Sequence, residues 1–183
     1  MSSDLVERLP IVGVMGSGRA PHLDRAEPLG RWLAGAGVHL LTGGGGGVMT
    51  AVSRAFHRVV PRAGRVIAIL PGSVDGTGYT TRAGYPNPWV EIPIATHLPL
   101  SGARGTETMS RNHINVLTAD LIVALPGGAG TSSEVALAVA YGRPVVVFAG
   151  DRRAIPGLAG DVPLEPRFEG VEAFVRRVLD RES

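Results

Sequence analysis

Short apolar segments alternate along the chain with longer segments in which apolar residues recur about every 3.6 positions. The short segments are rich in β-branched residues, as is typical of strands buried on both faces of a parallel sheet. They predict strands at 10–15, 38–42, 65–70, 119–125 and 145–149. The longer segments predict helices at 21–36, 48–59, 108–119, 130–141 and 170–181. Such alternation, with right-handed crossovers, predicts an α/β fold: a doubly wound parallel sheet in three α/β/α layers.

The remaining segments are less regular. Residues 73–88 are rich in Gly, Thr, Pro and Tyr and are predicted to form a long loop, a kind of segment that is often functional. Residues 89–94 contain a proline and indicate an edge strand or an irregular one. Residues 150–168 are interpreted as a loop. No linker or repeat divides the sequence, and residues 1–183 are predicted to form a single domain.

The most informative stretch joins the apolar segment ending at Leu125 to the helix predicted from residue 130. It reads Pro126-Gly127-Gly128-Ala129-Gly130-Thr131-Ser132-Ser133-Glu134. Glycines in a strand-to-helix turn let backbone N–H groups approach a ligand, and a helix start favours an anion. The stretch therefore predicts a phosphate or other anion site. Two alternatives stay open: a plain connection, and a capping box in which Thr131 and Glu134 only close the helix start.

Two further glycine loops follow strands, so all three are expected along one edge of the sheet. Gly16, Ser17 and Gly18 form half of the G-x-G-x-x-G dinucleotide fingerprint, but residue 21 is proline, so the indication for NAD is weak. The second loop contains Gly43, Gly44 and Gly45 within a run of five glycines. Ordering such a run costs conformational entropy, which favours a ligand-binding loop over a flexible surface loop.

The helix predicted from about residue 108 carries Arg111 and Asn115, one turn apart on the same face. A cation in the first turn opposes the helix dipole, and a bound anion would remove that conflict. The alternative is a surface arginine paired with Glu107 or Asp120.

Composition narrows the classes of function. All 18 basic residues are arginine, so lysine Schiff-base chemistry is excluded, and the absence of cysteine excludes disulfides and thiolate metal sites. A net charge of +2 with scattered arginines argues against a nucleic-acid partner. No apolar run is long enough to span a membrane and no signal peptide is evident, so a cytoplasmic location is expected. The five histidines lack paired ligand spacing, and no metal is expected.

Three features together resemble the LOG (LONELY GUY) superfamily, whose members were long called lysine decarboxylases. They are Gly43 to Gly47 followed by Val48 and Met49, then Arg111, then the P-G-G-x-G-T-x-x-E motif from Pro126 to Glu134. The resemblance covers roughly residues 10–150. It implies a Rossmann-like fold, dimers or higher oligomers, and cleavage of nucleoside 5′-monophosphates into free base and ribose 5-phosphate. It also implies that Arg111 and Glu134 are catalytic.

A second branch of the same superfamily, the molybdenum cofactor carriers, is also similar. The resemblance lies in Gly13-Val14-Met15-Gly16, in Glu134-Val135-Ala136-Leu137-Ala138, and in the residues from Ser110 to Leu117, where Asn112 stands in place of the lysine usual in the hydrolases. Carriers of that branch hold a pterin monophosphate without hydrolysis. The complete Pro126-Gly127-Gly128 turn is closer to the hydrolases. Phosphoribohydrolase is therefore the first interpretation and non-catalytic carrier the alternative.

Either interpretation predicts a nucleoside monophosphate or a molybdopterin-type ligand, no required cofactor, and a homo-oligomer, either dimer or tetramer. The phosphate is expected on N–H groups from Gly128 to Thr131, with Gly44 and Gly45 as additional contacts. In a hydrolase, Glu134 would stabilise the developing positive charge on the ribose, and Arg111 would hold phosphate or ribose oxygens. Contacts to the base are expected in 73–88 and 97–107. The full set of predicted ligand-binding residues is Gly16, Ser17, Gly18, Gly43, Gly44, Gly45, Asn115, Pro126, Gly127, Gly128, Gly130 and Thr131.

Overall fold

The computed structural model describes residues 8–182, with side chains through Arg181. Its centre is a seven-stranded sheet in the order β6-β3-β2-β1-β7-β8-β9, and every neighbouring pair is parallel. The strands are β1 (Ile11–Met15), β2 (His39–Thr42), β3 (Val66–Leu70), β4 (Gly72–Asp75), β5 (Gly78–Thr81), β6 (Ile92–Ala95), β7 (Leu121–Ala124), β8 (Val145–Phe148) and β9 (Leu164–Glu165). The helices are α1 (Leu23–Gly35), α2 (Val48–His57), α3 (Asn112–Thr118), α4 (Ala129–Ala140) and α5 (Phe168–Glu182).

Alternation along the strands creates two cores. Val12 and Val14 of β1 face a cluster that includes residues of α1, α2 and α5, whereas Met15 belongs to a cluster with residues of α3 and α4. Helices thus cover both faces of the sheet, and the predicted Rossmann-like three-layer fold is confirmed. Within residues 8–182, no helix combines the length and the apolar character needed to cross a lipid bilayer.

The strand order reverses at β1, which has β2 on one side and β7 on the other. In doubly wound sheets, the loops leaving the carboxyl ends of such central strands separate and leave a crevice. Here those loops are residues 16–18 after β1 and residues 125–128 after β7. The topology therefore brings two of the three glycine loops to the same place.

Two segments predicted to be loops contain regular structure. Residues 73–88 include most of an antiparallel hairpin, β4–β5, and residues 150–168 include a 3-10 turn at Arg152–Ala154 and the edge strand β9. The strand predicted at 89–94 is β6, at an edge as expected. These short elements lack the apolar periodicity that marks the central strands, because most of their residues remain exposed.

Helix α3 begins at Asn112, four residues later than predicted. The preceding residues form turns instead, with Gly105 N–H donating to Gly102 O at 3.0 Å and Ser110 N–H donating to Glu107 O at 2.9 Å. Arg111 is consequently the residue that precedes the helix rather than a member of its first turn.

A glycine sets the approach of α1 to α2. A Cβ at Gly30 would lie 2.6 Å from the Val52 carbonyl oxygen and 2.9 Å from the Ala55 Cβ, whereas a Cβ at Gly35 of the same helix would meet nothing within 4 Å.

Gly30→Ala should therefore destabilise the protein by about 1–3 kcal/mol through overpacking. Gly35→Ala, the matched control, should stabilise by up to about 1 kcal/mol through helix propensity. Urea denaturation measures both, and equal effects of the two substitutions would contradict this account of the packing.

Candidate functional site

A cleft of about 620 Å³ lies at the carboxyl edge of the sheet. Six chain segments contribute its lining: the loop after β1, the first turn of α2, the residues after β5, the loop before the 3-10 turn at Gly102–Arg104, the start of α3 and the start of α4. The lining residues are Met15, Gly16, Ser17, Gly18, Arg19, Met49, Arg82, Tyr85, Ser101, Gly102, Arg111, Asn112, Gly128, Ala129, Gly130, Thr131 and Glu134.

The start of α4 presents backbone donors to this cleft. Its first hydrogen bond runs from Ser132 N–H to Gly128 O at 3.0 Å, which leaves the N–H groups of Ala129, Gly130 and Thr131 without a partner inside the helix. No side chain caps this end. Unpaired donors at the positive end of a 12-residue helix favour an anion.

The capping-box alternative is wrong. The residue before α4 is Gly128, so Thr131 and Glu134 both lie inside the helix. The spacing T-x-x-E fits a capping box only when the threonine precedes the first helical residue, and here the helix begins two residues before Thr131.

The two glycines of this turn differ in role. A Cβ at Gly127 would overlap the side chain of Thr131, and Gly127 N–H donates to Ala154 O at 3.0 Å, so this residue serves packing. A Cβ at Gly128 would meet nothing within 4 Å, because it would point into the open cleft. Pro126 lies behind the cleft lining.

The loop after β1 forms a wall of the cleft. Ser17 N–H donates to Pro126 O at 3.0 Å, and Ser17 O accepts from Val48 N–H at 2.8 Å, so this loop ties the turn before α4 to the start of α2. Ser17 Oγ accepts from the N–H groups of Arg19 and Ala20. The backbone donor of Ser17 is therefore engaged within the protein, although Gly16, Ser17 and Gly18 all line the cleft.

The residues Gly43, Gly44 and Gly45 are buried and lie outside the cleft lining. Gly44 N–H donates to Thr42 Oγ1 at 3.1 Å, and Gly45 O accepts from Asn87 Nδ2 at 3.1 Å. Burial with internal hydrogen bonds rules out the flexible surface loop. It also places these glycines beneath the residues that would touch a ligand.

The first and third of these glycines make room for lining side chains. A Cβ at Gly43 would overlap the guanidinium of Arg111. A Cβ at Gly45 would lie 2.9 Å from the Tyr85 ring and from Met49 Cε. The absence of a Cβ at both positions is thus what lets Arg111, Tyr85 and Met49 take their places.

Arg111 is a buried cation, only 4% exposed, whose Nε and Nη1 have no hydrogen-bond partner in the described chain. Its two alternative partners are engaged elsewhere: Glu107 pairs with Arg104 at 2.6 Å, and Asp120 pairs with Arg8 at 2.7 Å. An uncompensated buried charge is costly, and a bound anion would supply the missing partner.

Glu134 lies on α4, 7% exposed, and contributes to the cleft lining. Asn115, fully buried on α3, donates from Nδ2 to Glu134 Oε1 at 3.4 Å, while Asn115 Oδ1 has no partner among the described residues. Burial raises the pKa of the Glu134 carboxyl, and this effect outweighs the opposing attraction of Arg111 and the Asn115 hydrogen bond. The predicted residues Arg111, Asn115 and Glu134 are thus brought together, with Asn115 behind the lining.

Several lining residues were not predicted individually. Arg82, Tyr85, Ser101 and Gly102 fall in the segments 73–88 and 97–107, where base contacts were expected, but nothing in the local pattern distinguishes them from their neighbours. The other such residues are Met15, Arg19, Met49 and Asn112. Within residues 8–182, no group of three or more histidine or acidic side chains is placed to hold a metal ion.

The raised pKa of Glu134 makes stability depend on pH. A carboxyl whose folded pKa lies above its unfolded value favours folding when protonated, so its contribution is present at low pH and is lost as pH rises through the folded pKa. Glu134→Gln removes this titration. The melting temperature of the variant relative to wild type should therefore rise as the pH increases above the ordinary pKa of a glutamate carboxyl. Glu169→Gln, at an exposed position on α5, controls for the loss of one carboxyl. A pH-independent difference for Glu134→Gln would contradict this account.

Comparison with known proteins agrees with the geometry. The model of the SLOG cluster4 family matches residues 9–163. The structure of the molybdenum cofactor binding protein from Rippkaea orientalis is similar with 32% identity and a TM-score of 0.73, over 94% of this chain and 98% of that one. The molybdenum cofactor carrier protein MCP from Chlamydomonas reinhardtii is 31% identical with a TM-score of 0.71, over 94% and 99% of the two chains.

An uncharacterized protein from Archaeoglobus fulgidus is 31% identical over 140 residues, which is 75% of this chain and 79% of that protein. The family match extends over the strands β1 to β8 and all the residues that line the cleft. The chain therefore belongs to the SLOG cluster4 family of the LOG-like superfamily, with molybdenum cofactor carrier proteins among its structural neighbours.

Proposed function

We propose that this protein binds a pterin monophosphate of the molybdenum cofactor type and holds it without cleaving it. The observation that carries this proposal is the pairing of two unsatisfied groups in one cleft. These are the N–H groups at the start of α4 that have no partner within the helix, and Nε and Nη1 of Arg111, which have no partner among the described residues.

The phosphate would take the place of the missing partners. Its oxygens accept hydrogen bonds from the N–H groups of Ala129, Gly130 and Thr131, and its negative charge lies at the positive end of α4. Arg111 offers a planar fork of donors that suits phosphate oxygens. Burial strengthens this attraction, because little water is available to screen the charge.

The remainder of the ligand needs space and apolar contact. A cleft of about 620 Å³ is within the usual range for an organic ligand of cofactor size. Tyr85 and Met49 supply an aromatic face and a polarizable thioether to its lining. Such groups suit a flat heterocycle, whether pterin or nucleobase.

Holding is favoured over cleavage by two features of this chain. Glycosidic cleavage builds positive charge on the sugar, and a carboxylate must be ionised to stabilise that charge. Burial instead favours the neutral form of Glu134. Asn112, which lines the cleft, also supplies no charge where the hydrolases usually have lysine. The similarity to molybdenum cofactor carrier proteins over more than nine-tenths of both chains supports the same choice.

The second candidate is the nucleoside 5′-monophosphate phosphoribohydrolase. Its support is specific: Arg111 and Glu134, the residues matched to the catalytic pair of the hydrolases, line the same cleft as the anion-binding start of α4. In this alternative, Glu134 would act in its ionised form as the carboxylate that stabilises the developing positive charge on the sugar.

We further propose that the protein is at least a dimer. Helix α4 has its buried side on the sheet, but Val139 near its end is 46% exposed and Tyr141, directly after it, is 41% exposed. Leu117 of α3, the helix that packs against α4, is 47% exposed. Covering these apolar groups would favour association.

Sedimentation of the wild-type protein should give a dimer or larger species, and Val139→Asp should shift the protein toward monomer. A concentration-independent monomer mass for wild type would contradict the proposal.

The two candidate functions predict different products. Incubation with AMP, CMP, GMP and UMP should release no free base if the protein is a carrier, and the protein should retain a pterin monophosphate with molybdenum through gel filtration. Release of base by wild type, abolished by Glu134→Gln while AMP binding persists, would instead establish the hydrolase. Failure to retain either ligand would overturn both candidates.

The position of Gly128 allows a selective block of the site. Because a Cβ there meets open space, Gly128→Val should fold normally while filling the place of the ligand. Binding of AMP or of the pterin should fall at least about tenfold, with a loss of about 1.4 kcal/mol or more. Gly160→Val, also unobstructed but outside the cleft, should bind as wild type does. Unchanged affinity in the Gly128 variant would remove the helix start from the site.

A further inference from the structure

The hairpin β4–β5 places Arg82, an arginine in addition to Arg111, at the cleft. Arg82 follows β5 directly and lines the cleft; it also lines a smaller pocket of about 230 Å³ beneath the hairpin. Arg82 N–H donates to Pro71 O at 3.2 Å and so joins the two ends of the hairpin, and Gly72 N–H donates to Leu98 O at 3.3 Å and holds the hairpin to neighbouring chain. The backbone of Arg82 is therefore fixed at the rim of the site.

Its side chain is also held. Arg82 Nη1 donates to Ser101 Oγ at 2.7 Å, which directs the guanidinium toward the loop that precedes the 3-10 turn. A guanidinium has five donors, and this bond uses one of them. The others are available to a ligand in the cleft that Arg82 and Ser101 both line.

The anchor of Arg82 lies next to the first turn of α4. Gly102 follows Ser101, and its Cα lies 3.5 Å from the position that a Cβ on Gly130 would take. Ser133 Oγ, within α4, donates to Gly102 O at 3.0 Å. The Ser101–Gly102 loop is thus packed on the end of α4 that carries the free N–H groups, and Arg82 is bonded to that loop.

Among the residues that the structure describes, the guanidinium of Arg82 has no carboxylate partner. Within residues 8–182, no carboxylate lies within 4.0 Å of its guanidinium, in contrast to Arg104 and Arg153, which pair with acids close in sequence. Glu134 is the sole carboxyl among the described cleft-lining residues. The buried, unpartnered Nε and Nη1 of Arg111 indicate independently that this cleft is built for an anion.

We propose that Arg82 is a ligand-binding residue of the phosphate site. Its guanidinium, positioned by Ser101, binds the phosphate together with the N–H groups at the start of α4. Arg82 thereby selects phosphorylated over unphosphorylated ligands. The inference rests on the proposed binding function and holds for a pterin or a nucleoside, since both carry the monophosphate.

The test compares four variants with wild type by isothermal titration with AMP and with adenosine. Arg82→Gln removes the charge, Arg82→Lys keeps the charge without the planar fork, and Ser101→Ala removes the anchor alone. Arg167→Gln, an exposed arginine outside the cleft, is the matched control for loss of one positive charge. Retention of the molybdenum-bearing pterin through gel filtration is measured for the same set, so either ligand provides the readout.

Arg82→Gln should weaken AMP binding about 10- to 100-fold, as expected for the loss of hydrogen bonds between charged groups, and should leave adenosine binding unchanged. Arg82→Lys and Ser101→Ala should give smaller losses, because one keeps the charge and the other keeps the guanidinium. Retention of the pterin should fall in the same order. Arg167→Gln should match wild type with every ligand.

Three results would overturn the inference. Unchanged affinity in Arg82→Gln, with wild type binding normally, would reject Arg82 while leaving the proposed function intact. An equal loss for AMP and adenosine would show that Arg82 supports the cleft rather than the phosphate. Failure of wild type to bind AMP and the pterin alike would reject the proposed function and this inference together.

Discussion

The site depends on one packing constraint: the buried guanidinium of Arg111 lies against Gly43. Arg111 has its charged group inside the protein, and it fits there because Gly43 has no Cβ. Gly43 directly follows β2, and Arg111 directly precedes α3. The positions of both elements are set by the sheet and its two cores. Among the described residues, Nε and Nη1 of Arg111 have no hydrogen-bond partner, and a ligand would gain from supplying one.

The three glycine loops have different roles in forming the cleft. The start of α4 presents backbone donors to the cleft, the loop after β1 ties the turn before α4 to α2, and the buried glycines after β2 make room for the side chains of Arg111, Tyr85 and Met49. In each loop, a Cβ at one glycine would come too close to a neighbouring side chain. That side chain is Thr131 for Gly127, Val48 for Gly16 and Arg111 for Gly43.

The electrostatics of the cleft favour retention of an anion. Three arginines and the positive end of α4 surround the space, and burial disfavours the charged form of the one carboxyl that lines it. A neutral Glu134 can donate a hydrogen bond but cannot balance a developing cation. The same residues could support either a carrier or a hydrolase, and a hydrolase would need Glu134 in its ionised form.

The sequence by itself determined the central parallel strands, the helices between them and the glycine turn before α4, because these follow from local apolar periodicity and from glycines at a strand-to-helix junction. It also singled out Arg111 and Glu134 for the cleft. Only the tertiary structure decided that Thr131 lies within α4, since its spacing from Glu134 suits a cap and a helix interior equally well. The tertiary structure also decided that Gly43 makes room for Arg111 and that Arg82 lines the cleft. Both depend on contacts between residues distant in the chain, which no local sequence pattern encodes.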